Sequence, residues 1–226
     1  MKPNRHSLRV LALLLGYPHA ELRAHLPELI EAIDAEAAIP APRRDEIRAL
    51  ASELAKRDSF EIEARYVETF DRGRSTSLHL FEHVHGDSRD RGPALVDLTQ
   101  TYEKAGLFLS PEELPDHLCV VLEFASTQPA QLAHDFLGEM AHILTLIFSG
   151  LQKKGSPYAA LVAAVLELSG QKVQAVHIEP EETMDESWAE PEAFGGCSTK
   201  GQARPDATQP IHIVRKTAAT APGVTA

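Results

Sequence analysis

The chain has 226 residues, of which 43% are hydrophobic and only 6% are aromatic. Leucine and alanine dominate the apolar set, and this favours helices over sheets because both side chains lose little freedom in a helix. The net charge of −11 argues against nucleic acid as a partner, since an acidic surface repels phosphate backbones.

The first third of the sequence predicts successive helices. Ser7–Leu15 is apolar on nearly every side, so we expect a buried helix that ends at Gly16. This run is too short to span a membrane and no small-residue cleavage site follows it, so we expect neither a transmembrane helix nor a secretory signal. The next predicted helices are Glu21–Glu36, Pro42–Arg57 and Phe60–Phe70.

Turn residues separate the helices of the middle third. Ser75 or Thr76 is expected to cap a helix over Ser77–His85. Asp116 follows a proline and is expected to cap the helix Asp116–Thr127. The other predicted helices are Pro93–Gly106, Gln131–Leu151 as the longest, and Tyr158–Leu168. The pattern therefore predicts an all-α fold, a single helical bundle.

The composition changes after Gly170, where an acidic stretch is followed by Gly, Ser, Thr, Pro and Ala. Such a segment buries too little apolar surface to offset its ordering entropy. We therefore predict an all-helical domain over residues 1–170 and an acidic, mostly disordered tail over 171–226. Trp188 and Phe194 are either a docking patch within this tail or an isolated solvated pair.

The densest polar region is Phe70–Gly92, with the sequence FDRGRSTSLHLFEHVHGDSRDRG. Within it, His79, Glu82 and His83 match the inverted metallopeptidase pattern H-x-x-E-H. On a helix the two histidines would lie one turn apart and could bind zinc, with the glutamate as base. The alternative is a packed helix with a polar edge, which we favour because the motif is short and no clear third ligand follows.

Four arginines of this region, namely Arg72, Arg74, Arg89 and Arg91, allow two interpretations. Their guanidinium groups could bind phosphate or carboxylate. They could instead form ion pairs with the interleaved acids and fix two tight turns around one helix, which the alternation of charge favours. The interleaved acids are Asp71, Glu82, Asp87 and Asp90.

The rest of the sequence offers little chemistry. There is no glycine-rich phosphate loop and no nucleophile elbow. Cys119 and Cys197 lack a Cys-x-x-Cys partner, which excludes a four-cysteine zinc site and fits a reducing compartment. His117 is expected to have a structural role. These observations predict a protein that is not an enzyme and needs no cofactor of its own.

The stretch Tyr66–Leu107 resembles the characteristic block of the nitrate reductase molybdenum cofactor assembly chaperones, the NarJ family. The similarity continues through Glu113-Leu114-Pro115-Asp116-His117-Leu118 and reaches Glu123. The opening helix that ends in Gly-Tyr-Pro is also similar to the start of that family, and the tail around Trp188 is similar to its C-terminal extension. The resemblance covers roughly residues 5–170.

This resemblance implies the all-helical fold of the TorD-like redox-enzyme chaperones and a cytoplasmic location. It implies binding to the immature catalytic (alpha) subunit of respiratory nitrate reductase, chiefly to its N-terminal peptide. The chaperone would keep that subunit competent for insertion of the molybdenum cofactor and an iron–sulfur cluster before membrane docking. The residues that carry over as partner-binding or groove-shaping candidates are Arg72, Arg74, Glu82, His83, His85, Arg89, Asp90, Arg91, Asp116 and His117.

Two positions depart from the family pattern. The family does not fix a histidine at position 79, which weakens the zinc interpretation, and Cys119 stands where proline is common. Three hypotheses remain distinct at this point. A chaperone should bind a peptide and hold no metal, a zinc metallopeptidase should contain stoichiometric zinc, and a purely structural helical protein should do neither.

Overall fold

The computed structural model describes residues 4–86 and 88–177. Within these ranges the regular elements are helices, and the only β pairing is a single antiparallel bridge between His79 and His117. By its internal contacts the chain divides into two compact units, Met1–Glu181 and Glu182–Ala226. The predicted domain boundary at residue 170 stays a prediction, and the tail residues Trp188, Phe194 and Cys197 lie outside the described residues.

The predicted all-α fold is confirmed. The helices of the described ranges are α1 (Arg5–Leu15), α2 (Ala20–Ala24), α3 (Leu26–Glu36), α4 (Ala41–Lys56), α5 (Ser59–Phe70), α6 (Leu80–His85), α7 (Arg91–Lys104), α8 (Leu118–Thr127), α9 (Ala130–Glu139), α10 (Ala141–Lys153) and α11 (Ala159–Leu168). A short 3₁₀ helix covers Arg74–Thr76 between α5 and α6.

Helix α1 lies at the centre of the core, as its apolar sequence predicts. Leu8, Leu11, Leu14 and Leu15 are completely buried. The helix packs against α8, α3 and α11, and α11 packs in turn against α10. Burying one leucine stabilises a fold by roughly 2 kcal/mol, so this one helix is a large contributor to stability.

Two predicted helix boundaries are wrong. The predicted helix Glu21–Glu36 is divided at His25, which lies outside helical geometry with φ −100° and ψ 7°. Pro27 explains the division, because proline lacks the N–H that an uninterrupted helix would need at that position. The result is a short α2 followed by α3, with a corner between them.

The predicted longest helix, Gln131–Leu151, is likewise divided, at Met140. In α9, Ala133 and Leu137 are completely buried, whereas Leu132 is 57% exposed. Helix α9 therefore faces the core with Ala133 and Leu137. The change of direction at Met140 lets α10 bury its own stripe, and the longest helix in the described ranges is α4.

The predicted caps of α6 and α8 are also wrong. Thr76 lies inside the 3₁₀ helix, and its hydroxyl donates to the carbonyl of Thr69 rather than capping a helix. Helix α6 starts only at Leu80, and α8 starts at Leu118 after His117. The carboxylate of Asp116 accepts from the N–H of Phe81 at 3.2 Å, so it satisfies the first turn of α6 and not of α8.

Candidate functional site

A groove of about 820 Å³ lies on the surface of the described residues. One wall consists of the end of α1 with α2 and the start of α3. The other consists of residues 112–114 and the first half of α8, with His79 at the edge. The lining residues are Ala12, Leu13, Gly16, Tyr17, His19, Glu21, Leu22, His25, Leu29, His79, Glu112, Glu113, Leu114, His117, Cys119, Val120 and Glu123.

The groove combines exposed apolar side chains with an acidic rim. Leu13, Tyr17 and Leu114 are each 42% to 44% exposed, which is high for large apolar groups. The four carboxylates of the rim are all exposed, and the described residues that line the groove include no lysine or arginine. These carboxylates belong to Glu21, Glu112, Glu113 and Glu123. The surface therefore suits a ligand with an apolar face flanked by positive charge.

The first wall is held by hydrogen bonds at the end of α1. Tyr66 on α5 donates its buried hydroxyl to the carbonyl of Leu15 at 2.8 Å. The ring of Tyr66 also meets the ring of Tyr17 edge to face, with centroids 5.5 Å apart. His19 caps α2 by accepting from the N–H of Leu22 at 2.9 Å. The corner that carries Tyr17 and His19 is therefore fixed by packing with α5.

The second wall is held by α7 and by the single β-bridge. Tyr102 on α7 donates to the carbonyl of Pro115 at 2.8 Å. Beside it, the N–H of Leu80 donates to the carbonyl of Asp116 at 3.0 Å, and the N–H of Leu118 donates to the carbonyl of Leu78 at 2.8 Å. These bonds attach the start of α8 to the start of α6.

Asp116 is the most deeply buried charged group behind this wall, with no exposed side-chain surface. Its carboxylate lies 3.5 Å from Nδ1 of His79 on one side and 3.5 Å from a terminal nitrogen of Arg91 on the other. Burial alone would raise the pKa of Asp116, but the hydrogen bonding and charges of these neighbours hold it below its ordinary value. The ionised carboxylate of Asp116 is therefore shared by His79 and Arg91.

The pKa values of the two histidines of the β-bridge, His79 and His117, are shifted in opposite directions. Asp116 raises the pKa of His79 by stabilising its charged form. Burial lowers the pKa of His117, and the neighbouring charge of His79 lowers it further. Their rings meet edge to face with centroids 5.0 Å apart. His79 thus favours the cation and His117 the neutral form at the same edge of the groove.

A second, polar pocket of about 230 Å³ lies on the other side of the Asp116 network. We call it the arginine pocket. Its lining residues are Phe70, Asp71, Arg72, Gly73, Arg74, Ser77, Glu82, Gly86 and Arg91. Glu82 accepts from the hydroxyl of Ser77 at 2.5 Å and lies 3.3 Å from Arg91. Arg91 therefore joins the arginine pocket to Asp116, which in turn contacts the histidine that lines the groove.

The predicted site residues thus fall in three places. Of the ten, only His117 lines the groove, and Asp116 lies directly behind it. Arg72, Arg74, Glu82 and Arg91 line the arginine pocket instead. The remaining residues line neither pocket, and they are His83, His85, Arg89 and Asp90.

The geometry required by the zinc interpretation is not formed. His79 precedes α6, so His79 and His83 do not lie one helical turn apart on one face. His79 contacts Asp116, while Nε2 of His83 lies 2.9 Å from the carbonyl of Ser77. Across residues 4–86 and 88–177 no group of three His, Cys, Asp or Glu side chains is arranged to hold a metal ion.

Sequence reasoning missed most of the groove. Its lining residues come from separate parts of the chain, and of them only His79 belongs to the dense block Phe70–Gly92. Exposed apolar side chains on amphipathic helices, such as Leu13, were a usable signal, as was the Glu112-Glu113 pair. Cys119 lines the groove as well, and burial raises its pKa to about 12, so its thiol is protonated and unreactive at neutral pH.

The fold is similar to that of one solved structure. A solved structure of a proposed redox enzyme maturation protein from Archaeoglobus fulgidus superposes with a TM-score of 0.51 at 21% identity, covering 74% of this chain and 94% of that one. No helix in the described ranges is long and apolar enough to cross a membrane.

Sequence comparison identifies the family. Residues 19–164 match the model of the nitrate reductase delta subunit family. The chain is 42% identical over 168 residues to the nitrate reductase molybdenum cofactor assembly chaperone NarJ of Escherichia coli (strain K12), covering 74% of this chain and 71% of that protein. It is also 36% identical over 155 residues to the nitrate reductase-like protein NarX of Mycobacterium tuberculosis (strain ATCC 25618 / H37Rv), covering 68% of this chain and 23% of that protein.

The chain therefore belongs to the nitrate reductase delta subunit family. This confirms the resemblance found in the sequence. It also agrees with the prediction that the protein is not an enzyme, because the relatives of similar length are named as assembly chaperones.

Proposed function

We propose that this protein is a system-specific assembly chaperone of a respiratory nitrate reductase. It binds the immature catalytic subunit, chiefly through the N-terminal peptide of that subunit, in the cytoplasm. Binding keeps the subunit competent for insertion of the molybdenum cofactor and an iron–sulfur cluster before membrane docking. The family assignment supports the general role, and the groove between α1–α3 and residues 112–123 supports the peptide as ligand.

The observation that carries this proposal is the combination of exposed apolar side chains with an acidic rim in one groove. A helix laid in a groove binds through side chains at positions i, i+3, i+4 and i+7. Leu13, Leu114 and Val120 offer apolar contacts for such a stripe. Lysine or arginine residues beside the stripe would meet Glu113 and Glu123, so the preferred ligand is an amphipathic, basic helix.

Affinity and association rate should depend on different parts of the groove. Burial of apolar side chains sets most of the affinity, whereas rim charges mostly accelerate encounter and fix orientation. Added salt should therefore slow association more than it weakens the complex. Among the predicted site residues, we propose that His117 contacts the peptide and that Asp116 supports the wall on which His117 lies.

The direct test is calorimetry of the full chain with a synthetic peptide of the first residues of the catalytic subunit. Replacing Leu13 by Ser removes an exposed apolar contact from the groove and should weaken binding by roughly tenfold, the equivalent of about 1.4 kcal/mol of lost burial. Leu132→Ser is the matched control, because Leu132 is also exposed on a helix but lines neither pocket.

Two results would contradict the proposal. One is an unmodified chain that does not bind the peptide at high micromolar concentration. The other is a strain lacking the protein that still makes nitrate reductase loaded with its cofactor. Equal weakening by Leu13→Ser and Leu132→Ser would show that the peptide binds elsewhere. Fractionation of cells with an antibody against the chain tests the cytoplasmic location separately.

A further inference from the structure

The arginine pocket differs from the groove in chemistry and shares no lining residue with it. Three guanidinium groups line it from three different elements: Arg72 follows α5, Arg74 starts the 3₁₀ helix and Arg91 starts α7. Its volume of about 230 Å³ is below the roughly 300–1,000 Å³ usual for sites that enclose a drug-sized molecule. The pocket therefore has room for a small anionic group and not for a large ligand.

The turn that carries two of these arginines is fixed from beneath by α10 and the residue after it. Lys154 donates to the hydroxyl of Thr76 at 3.0 Å, and it can do so only because position 73 is glycine. A Cβ on Gly73 would lie 2.1 Å from the Lys154 ammonium nitrogen. A Cβ on Gly150 would lie 2.6 Å from the carbonyl oxygen of Ser75. The backbone from 73 to 76 is thus held in place before any ligand binds.

The acids of the pocket leave one guanidinium group available. The carboxylate of Glu82 is engaged by Ser77 and Arg91. Arg91 is shared between Glu82 and Asp116. Arg72 is exposed, and no carboxylate of the described residues forms an ion pair with it. An incoming anion would therefore meet Arg72 at no cost in existing ion pairs and could then share Arg91 with Glu82.

We propose that the arginine pocket binds the phosphoryl group of a small phosphorylated molecule. A terminal phosphoryl group has three non-bridging oxygens, so it can contact Arg72 and Arg91 together and still accept a further hydrogen bond, whereas a carboxylate has only two oxygens. This site is separate from the peptide groove, and the inference does not depend on the proposed peptide ligand. The ion-pair interpretation of the sequence then holds for Arg91, and the phosphate interpretation holds for Arg72.

The test is calorimetry of the full chain with inorganic phosphate, pyrophosphate and acetate at about 0.15 M salt, where distant charges are screened. Phosphate or pyrophosphate should bind and acetate should not. Arg72→Gln should weaken pyrophosphate binding by roughly tenfold, because one charge-assisted contact is lost. Arg72→Lys should recover part of this loss, because lysine restores the positive charge but not the planar guanidinium group that can donate two parallel hydrogen bonds.

Arg89→Gln is the control, because Arg89 is an exposed arginine of the same block that does not line the pocket. Unchanged binding in this variant supports a local site, whereas equal weakening in both variants would show a general charge effect and overturn the proposal. Acetate binding as tight as phosphate would also overturn it, as would absence of pyrophosphate binding at millimolar concentration. Peptide affinity measured on Arg72→Gln should be unchanged, so a failure here is distinguishable from a failure of the proposed function.

Discussion

The groove and the arginine pocket lie on opposite sides of the same buried carboxylate but are built in different ways. The groove has exposed leucine and tyrosine side chains, an acidic rim and walls from distant parts of the chain. The arginine pocket is polar and comes almost wholly from residues 70–91. Its backbone is clamped by Lys154 and by the close approach of Gly150.

This contrast separates two uses of a dense sequence motif. The block of residues 70–92 attracts notice because charged and turn residues are concentrated there. In the structure the described residues of this block include the 3₁₀ helix, α6 and the start of α7, and they contact Asp116 behind the groove through Phe81 and Arg91. The groove proposed here as the peptide site is instead made, apart from His79, of residues that stand in no dense motif and come together only once the helices are assembled.

The largest effect is expected from Asp116→Ala, which removes the carboxylate between the two sites. Arg91 and His79 lose their shared partner and the N–H of Phe81 loses its acceptor. Breaking a buried pair from one side costs about 3 kcal/mol, because the remaining charges stay partly buried. Urea denaturation should show this loss of unfolding free energy.

Asp135→Ala is the control for that experiment. Asp135 also contacts a histidine, His134, but on the exposed surface of α9, so the midpoint of unfolding should hardly change. If Asp116→Ala were as mild as the control, Asp116 would not be the support shared by the two sites.

Gly150→Ala is expected to have a smaller effect on stability and to affect the arginine pocket but not the groove. The new methyl group would meet the backbone carbonyl of Ser75, which cannot rotate away, and such overpacking costs about 2 kcal/mol. Pyrophosphate binding should weaken with it, while affinity for the peptide stays near that of the unmodified chain. Calorimetry with both ligands measures the difference.

Gly138→Ala gives the matched comparison, because nothing lies within 4 Å of the added carbon on α9. There the substitution should stabilise the chain slightly, by up to ~1 kcal/mol, through helix propensity alone. A parallel loss of peptide and pyrophosphate binding in Gly150→Ala would mean that the two sites are not mechanically separate.

The smallest effect concerns pH and the groove edge. Asp116 raises the pKa of His79 in the folded state. The interaction of protonated His79 with Asp116 therefore contributes fully to stability below the ordinary histidine pKa of about 6.5, and this contribution is lost as the pH rises through the pKa of the folded state. His79→Gln should therefore cost more stability at about pH 5.5 than at about pH 9. The difference should stay below ~1 kcal/mol because His79 is partly exposed.

His117→Gln should show the opposite trend. Burial lowers the pKa of His117, so the native state favours its neutral form, and this contribution is lost as pH falls below the ordinary value. Urea midpoints at the two pH values test both variants. The same sign of pH dependence in both would contradict the arrangement of the two rings described here.

Much of the fold could be predicted from the sequence because hydrophobic periodicity is a local property. The buried α1, the start of α4 near Pro42 and the end of α11 near Leu168 agree with the pattern. The division at His25 follows a local signal, Pro27, that the prediction did not use, whereas the division at Met140 depends on which face the next helix buries. That choice is made by neighbours distant in sequence.

The candidate site was less predictable for the same reason. The sequence suggested a local cap for Asp116, since a proline break precedes it. In the structure the carboxylate of Asp116 instead accepts a hydrogen bond from the first turn of α6, because the bridge between His79 and His117 brings those segments together. Sequence spacing alone contains no information about that pairing.

The packing of α1 against α8 has a consequence for the order of folding. These helices form the two sides of the groove, yet α2 to α7 lie between them in the chain. During synthesis the apolar face of α1 therefore lacks its main packing partner until α8 has left the ribosome. Native contacts between such distant segments slow folding, because a long loop must close before they stabilise it. The groove is therefore completed late in synthesis, and a chain truncated before Leu118 would lack the helix against which α1 packs.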